Sequence, residues 1–153
     1  MSEDIIRMKG EDIQLQAHAK DWKDALALAA RPLIERGDID EGYITSMVEA
    51  VEKLGPYIVI APGLALGHAR PNESVHAPCI AIATLDEPVE FGSKDNDPVD
   101  IVVVLAAVDD NAHIALLQKM VLFLNEEGAF EKLRAARTRQ EAQDIADAIN
   151  KEA

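Results

Sequence analysis

The sequence predicts a three-layer α/β domain, and three observations carry that prediction. Apolar spacing switches repeatedly along the chain between the two-residue period of strands and the three-to-four-residue period of helices. One run, Val99 to Val108, is almost wholly apolar. A strand that is apolar on both sides suits the middle of a sheet with helices on either face. The 153 residues, 48% of them hydrophobic, are enough to bury a core in one domain spanning 1–153.

The elements follow in order. Asp12-Ile13-Gln14-Leu15-Gln16-Ala17 alternates and reads as a strand with Ile13, Leu15 and Ala17 on one face. Asp21 is placed to cap a helix. That helix runs through Trp22, Ala25, Leu26, Leu28, Ala29, Leu33 and Ile34, with Pro32 as an expected kink or break and Arg36-Gly37 as its end. After the turn Asp38 to Gly42, a second helix presents Tyr43, Ile44, Met47, Val48, Val51 and Leu54, and Gly55-Pro56 closes it. Tyr57 to Ala61 is β-branched and apolar, hence a strand. A loop through His68 comes next. Residues 76 to 85 read as a strand, with Pro78 at its start or on an edge. Asp86 to Pro98 is a polar connection. Asp109-Asp110-Asn111 then supplies capping residues for a helix over 112–125. A short helix over 129–136 and a last one over 139–151, capped by Thr138, complete the chain. Every apolar helix face is expected to serve the core, which leaves no spare stripe for self-association.

Composition narrows the function. The net charge of −13 and pI near 4.6 exclude a nucleic-acid binder and an anionic-membrane binder, because both need a basic surface. A basic protein partner stays compatible. Cys79 is the single cysteine, so no internal disulfide forms and a reducing compartment is expected. Met1 to Arg7 is not a basic leader followed by an apolar stretch, and no run reaches the roughly 18 residues of a membrane span. A cytoplasmic location is the expectation.

The chemistry centres on Val59-Ile60-Ala61-Pro62-Gly63-Leu64-Ala65-Leu66-Gly67-His68-Ala69-Arg70-Pro71. His68 and Arg70 are two apart, so an extended backbone turns both toward one spot. A neutral imidazole is a nitrogen nucleophile near pH 7, and guanidinium grips phosphate oxygens. His113 falls in the first turn of the helix after the buried strand, where free N–H groups and the macrodipole favour an anion. Leu64 and Leu66 are expected to form a docking surface around the loop. A rival use of His68, His76, Cys79 and His113 is a metal site, but their spacing matches no zinc pattern. There is neither a nucleophile elbow nor a phosphate-cradling P-loop, so a phosphoryl group would have to arrive already activated.

The segment from Gly55 to Pro71 resembles the active-site signature of mannitol/fructose-type EIIA domains of the phosphoenolpyruvate-dependent sugar phosphotransferase system. The lead-in Gly55-Pro56-Tyr57-Ile58-Val59-Ile60-Ala61-Pro62-Gly63 is most similar to the ascorbate-type branch. Leu105 to Ile114 resembles the family's second histidine segment, and the likeness spans roughly residues 5 to 150. The resemblance implies a mixed sheet with helices on both faces, and a phosphoryl relay. The carrier HPr phosphorylates EIIA on a histidine, EIIA passes the group to EIIB, and the membrane component EIIC transports the sugar that EIIB phosphorylates. By match, His68 is the phosphorylated residue and His113 the second active-site histidine, with Arg70 compensating the phosphoryl charge. No cofactor or metal is required. Two departures stand out. Gly67 occupies a position where the family usually has Pro, and Ala50-Val51 stand where some branches carry an Arg. The first is expected to loosen His68; the second leaves Arg70 as the nearby cation. A regulatory EIIA-like phosphoprotein and a disabled carrier are the alternatives.

Overall fold

In a computed structural model, which describes residues 8–152, β5 (Val99–Ala106) sits in the middle of a five-stranded sheet. The strand order is β1-β4-β5-β3-β2, with β1 Ile13–Ala17, β2 Val59–Ala61, β3 Leu64–Gly67 and β4 Cys79–Val89. The sheet is mixed: β1 is parallel to β4 and β3 to β5, while β4/β5 and β2/β3 are antiparallel. Met1 to Arg7, which the leader argument used, lie outside the described residues.

Side chains on β5 alternate between two cores, as the pleat requires. Val102, Val104 and Ala106 pack with α1 (Trp22–Glu35) and α2 (Glu41–Leu54). Ile101, Val103 and Leu105 pack with α3 (Asp110–Leu124), α4 (Ala129–Ala135) and α5 (Arg139–Lys151). Both faces are therefore covered, and the three-layer reading holds. Three caps fall where the sequence puts them, and Asp40, read as part of a turn, is a fourth. Asp21, Asp40, Asp109 and Thr138 each accept a backbone N–H in the first turn of their helix. Among the described residues no helix is long and apolar enough to cross a membrane.

Five expectations change. Pro32 does not break α1, because another group replaces the hydrogen bond it cannot make. The Leu28 carbonyl, four residues back, accepts from Gln14 Nε2 of β1 at 2.6 Å instead. The loop before His68 contains a buried strand, β3, paired along its whole length with β5. Leu64 and Leu66 point into the core beneath α3 and cannot dock a partner. β4 continues beyond residue 85 to Val89 and rejoins β5 across a bulge, so the connection starts later than expected. Finally, α3 keeps an apolar exterior: Ile114, Val121 and Leu122 are all exposed, so not every apolar side chain of the helices serves the core.

Candidate active site

β3 ends at Gly67, and the next residue, His68, emerges at the C-terminal edge of the sheet. In open α/β sheets ligands gather beyond the carboxyl ends of strands. A cleft of about 600 Å³ opens there, lined by His68, Arg70, His113, Tyr57, Lys53 and Glu49 among others. Its walls are the last turns of α2, the His68 segment and the N-terminus of α3.

His68 is half-buried and tightly oriented. Its Nδ1 lies 2.7 Å from the Leu66 carbonyl oxygen. A carbonyl only accepts, so Nδ1 carries the proton and the neutral ring keeps its lone pair on Nε2. Tyr57 stands edge-on to the ring, centroids 5.5 Å apart and planes at 87°, and its hydroxyl donates to the His68 carbonyl at 3.3 Å. The far side meets His113, with centroids 5.4 Å apart. Backbone support comes from Tyr43, whose hydroxyl is fully buried. It accepts from Ala69 N–H at 2.9 Å and donates to the Leu105 carbonyl at 2.8 Å. One hydroxyl thus ties α2 to the residue after His68 and to the end of β5. Burial raises the Tyr43 pKa, so it stays a neutral donor.

His113 contributes a different feature. Its Nδ1 is buried and has no hydrogen-bond partner. Burial, reinforced by the His68 ring, lowers its pKa, while Asp110 pulls the other way. The N-terminus of α3 is only partly open. Asp109 occupies the N–H groups of Ala112 and His113, through its carboxylate and carbonyl respectively. Asp110 and Asn111 have the N–H groups left for an anion.

Residues 7–148 match the model of the family described as phosphoenolpyruvate-dependent sugar phosphotransferase system, EIIA 2. The chain belongs to this family. An ascorbate-specific PTS system EIIA component of Shigella boydii is 43% identical over 144 residues, 93% of each chain. The solution structure of the mannitol-specific cryptic phosphotransferase enzyme IIA CmtB from Escherichia coli superposes with a TM-score of 0.79 at 30% identity, covering 91% of this chain and 98% of that one. A complex of enzyme IIAMtl with phosphorylated IIBMtl from Escherichia coli shares the fold, TM-score 0.80 at 22% identity, covering 94% and 99%. This EIIA is thus a phosphotransferase component that carries a phosphoryl group within a sugar phosphotransferase system.

The fold brings His68, Arg70 and His113 to the cleft of this EIIA, as their spacing and the resemblance predict. It does not assemble the rival metal site. His76 sits instead beside Asp40, at 3.3 Å, and Cys79 is a buried thiol whose pKa burial pushes up to about 12. Among the described residues the one cluster with metal-ligand geometry is exposed His18, Asp86 and Glu87, on another part of the sheet. Gly67 is not a loose hinge. It pairs with Val104 inside the β3–β5 ladder, and a Cβ there would stand 2.8 Å from Leu26 Cδ2 and 3.3 Å from Met47 Sδ. A side chain at 67 would press on Leu26 and Met47, and His68 follows a fixed strand end. Arg70 is held by its neighbour: Asn72 Nδ2 donates to the Arg70 carbonyl at 3.2 Å and to Ser46 Oγ at 3.3 Å. Arg70 is not the sole cation, because Lys53 lines the same cleft. Leu54, expected in the core, is 69% exposed at the cleft rim. The signal for both was present in the spacing Ser46, Glu49, Ala50, Lys53, Leu54, a second face of α2 at helical period.

Proposed function

We propose that His68 is the phosphoryl-accepting residue, that HPr is its donor and a cognate EIIB its acceptor, and that the system serves ascorbate in the cytoplasm. The observation that carries the assignment is the His68 Nδ1 hydrogen bond to the Leu66 carbonyl. It fixes the tautomer and leaves Nε2 as the nucleophile of a half-buried ring at the cleft. Nε2 attacks the incoming phosphorus in line with the leaving atom of the donor. The new P–N bond forms as the old bond breaks, and the electron pair stays on the donor. Transfer to EIIB is the same step in reverse roles. Phosphoryl transfer asks little of a protein beyond alignment and charge stabilisation. His113 Nδ1, without a protein partner, Arg70 and the N–H groups of Asp110 and Asn111 are the groups available for that stabilisation. Ascorbate is supported by the 43% identity to the Shigella boydii component over nearly the whole chain.

The test is intact-mass spectrometry after incubation with phosphoenolpyruvate, enzyme I and HPr. The wild type gains one acid-labile phosphoryl group, His113→Ala gains it more slowly, and His68→Ala gains none. Phosphorylation of His68→Ala rejects the assignment. Rapid discharge by an ascorbate-system EIIB, and not by a mannitol-system EIIB, supports the substrate; the reverse order rejects it.

A further inference from the structure

We propose that Lys53 is a second phosphoryl-binding cation of this cleft and contacts the transferred group together with Arg70. The inference rests on the relay reading of His68. Lys53 lies in the last turn of α2, on the face that carries Ser46, Glu49, Ala50 and Leu54 to the cleft. Its neighbour Glu52 is engaged elsewhere, by Lys23 at 2.8 Å. Among the described residues Lys53 itself makes no ion pair. An ammonium with no ion pair, lining the same cleft as two histidines, is free to meet an anion there.

Charge balance decides why it is needed. Glu49 and Asp110 line the same cleft, so Arg70 alone is outnumbered by carboxylates. A phosphoryl group brings up to about two further negative charges. The α3 N-terminus offsets about half of one charge. With Lys53 the cleft's cations equal its carboxylates, and the anion meets no net repulsion before it binds. Asp109, which caps α3, stays on the hydrogen bonds of that helix. An ammonium also suits a group that must leave again, because it is a mobile point charge and not a bidentate clamp. Lys53 donates N–H hydrogen bonds to the equatorial oxygens during transfer and keeps its protons.

Lys53→Gln and Lys53→Arg separate charge from shape. Two quantities are read for each: the second-order rate of phosphorylation by phospho-HPr, and the affinity for inorganic phosphate followed through the His113 ring resonances. Losing one charge-assisted hydrogen bond corresponds to about a tenfold to hundredfold effect. Lys53→Gln lowers both quantities by that factor, Lys53→Arg keeps both near the wild type, and Tm stays unchanged in both because the side chain is exposed and unpaired. Wild-type rate and phosphate affinity in Lys53→Gln overturn the proposal, as does a loss in both variants that tracks a fall in Tm. If the wild-type protein accepts no phosphoryl group, the relay reading falls, and the phosphate titration still decides Lys53.

Discussion

His113 shows at the scale of one residue how burial and a neighbouring ring set a titration. Its ring is held with Nδ1 buried and unpartnered, and burial is the first cause of its lowered pKa, the His68 ring the second. The unfolded chain binds this proton near the ordinary value of 6.5, and the folded chain binds it only at lower pH. Acidification through 6.5 therefore favours the unfolded chain, and stability attributable to His113 returns as pH rises back through that window. A phosphoryl group on His68 reverses the balance, because a neighbouring anion favours imidazolium. An NMR titration is expected to place the His113 midpoint below 6.5 in the unphosphorylated protein and above that position after phosphorylation. His68→Ala raises the midpoint part of the way, since burial persists. A midpoint indifferent to phosphorylation would remove His113 from the site. In the sequence His68 drew notice as a histidine in a glycine- and proline-punctuated segment, Arg70 as a cation two residues on, and His113 as a histidine in a helix's first turn; the family resemblance joined them. Lys53 drew none, since an exposed lysine on a helix reads as solvated surface until the fold places it along the same cleft. Gly67 misled for a related reason. Glycine signals either freedom or lack of space, and only the approach of Leu26 and Met47 tells which.

Elements were legible where their boundaries are chemical. The caps at Asp21, Asp109 and Thr138 are local hydrogen bonds, and those helix starts follow from them. β3 was not legible, because four residues between Gly63 and His68 offer too little period to distinguish strand from loop; its pairing with β5 is a long-range fact. α1 likewise passes through Pro32 only because β1 lies beside it. The interior proline deprives the Leu28 carbonyl of its helical donor, and Gln14 Nε2 replaces that donor. This compensation has a measurable signature. Gln14→Ala leaves a part-buried carbonyl unpaired and costs about 1 kcal/mol. In the Pro32→Ala background residue 32 has its own N–H, the helix bond reforms, and the same Gln14→Ala change costs close to nothing. Chemical denaturation of the two single variants and the double variant reads the coupling, expected near 1 kcal/mol. Strict additivity would mean that water already serves the Leu28 carbonyl and that Gln14 is incidental.

The whole molecule sets a sheet between two apolar cores inside a strongly acidic shell. The chain carries 28 acidic and 15 basic residues. Its exposed ion pairs, such as Lys23–Glu52 and Arg134–Asp100, are screened by solvent and contribute little. The Arg36 bridge to buried Asp12 and to Asp38 is less exposed and less open to screening. Repulsion summed over a net charge of −13 acts at longer range than any of these pairs. At about 0.01 M salt the screening length is about 30 Å, comparable with the molecule, and near 0.15 M it is about 8 Å. Salt should therefore relieve long-range repulsion before it weakens contact pairs. Between those two concentrations of NaCl, Tm is expected to rise by about 2–4 °C, the shift that about 1 kcal/mol produces at this chain length. A fall in Tm over the same range would show that the surface pairs outweigh the net charge. The same screening bears on the cleft, whose cations are few and local against an acidic background. If Lys53 and Arg70 hold the anion, salt weakens phosphate binding while it strengthens the fold, and calorimetry with phosphate titration across one salt series resolves the two opposite slopes. Parallel slopes would mean that phosphate is not held by charge in this cleft, and would remove both cations from the site.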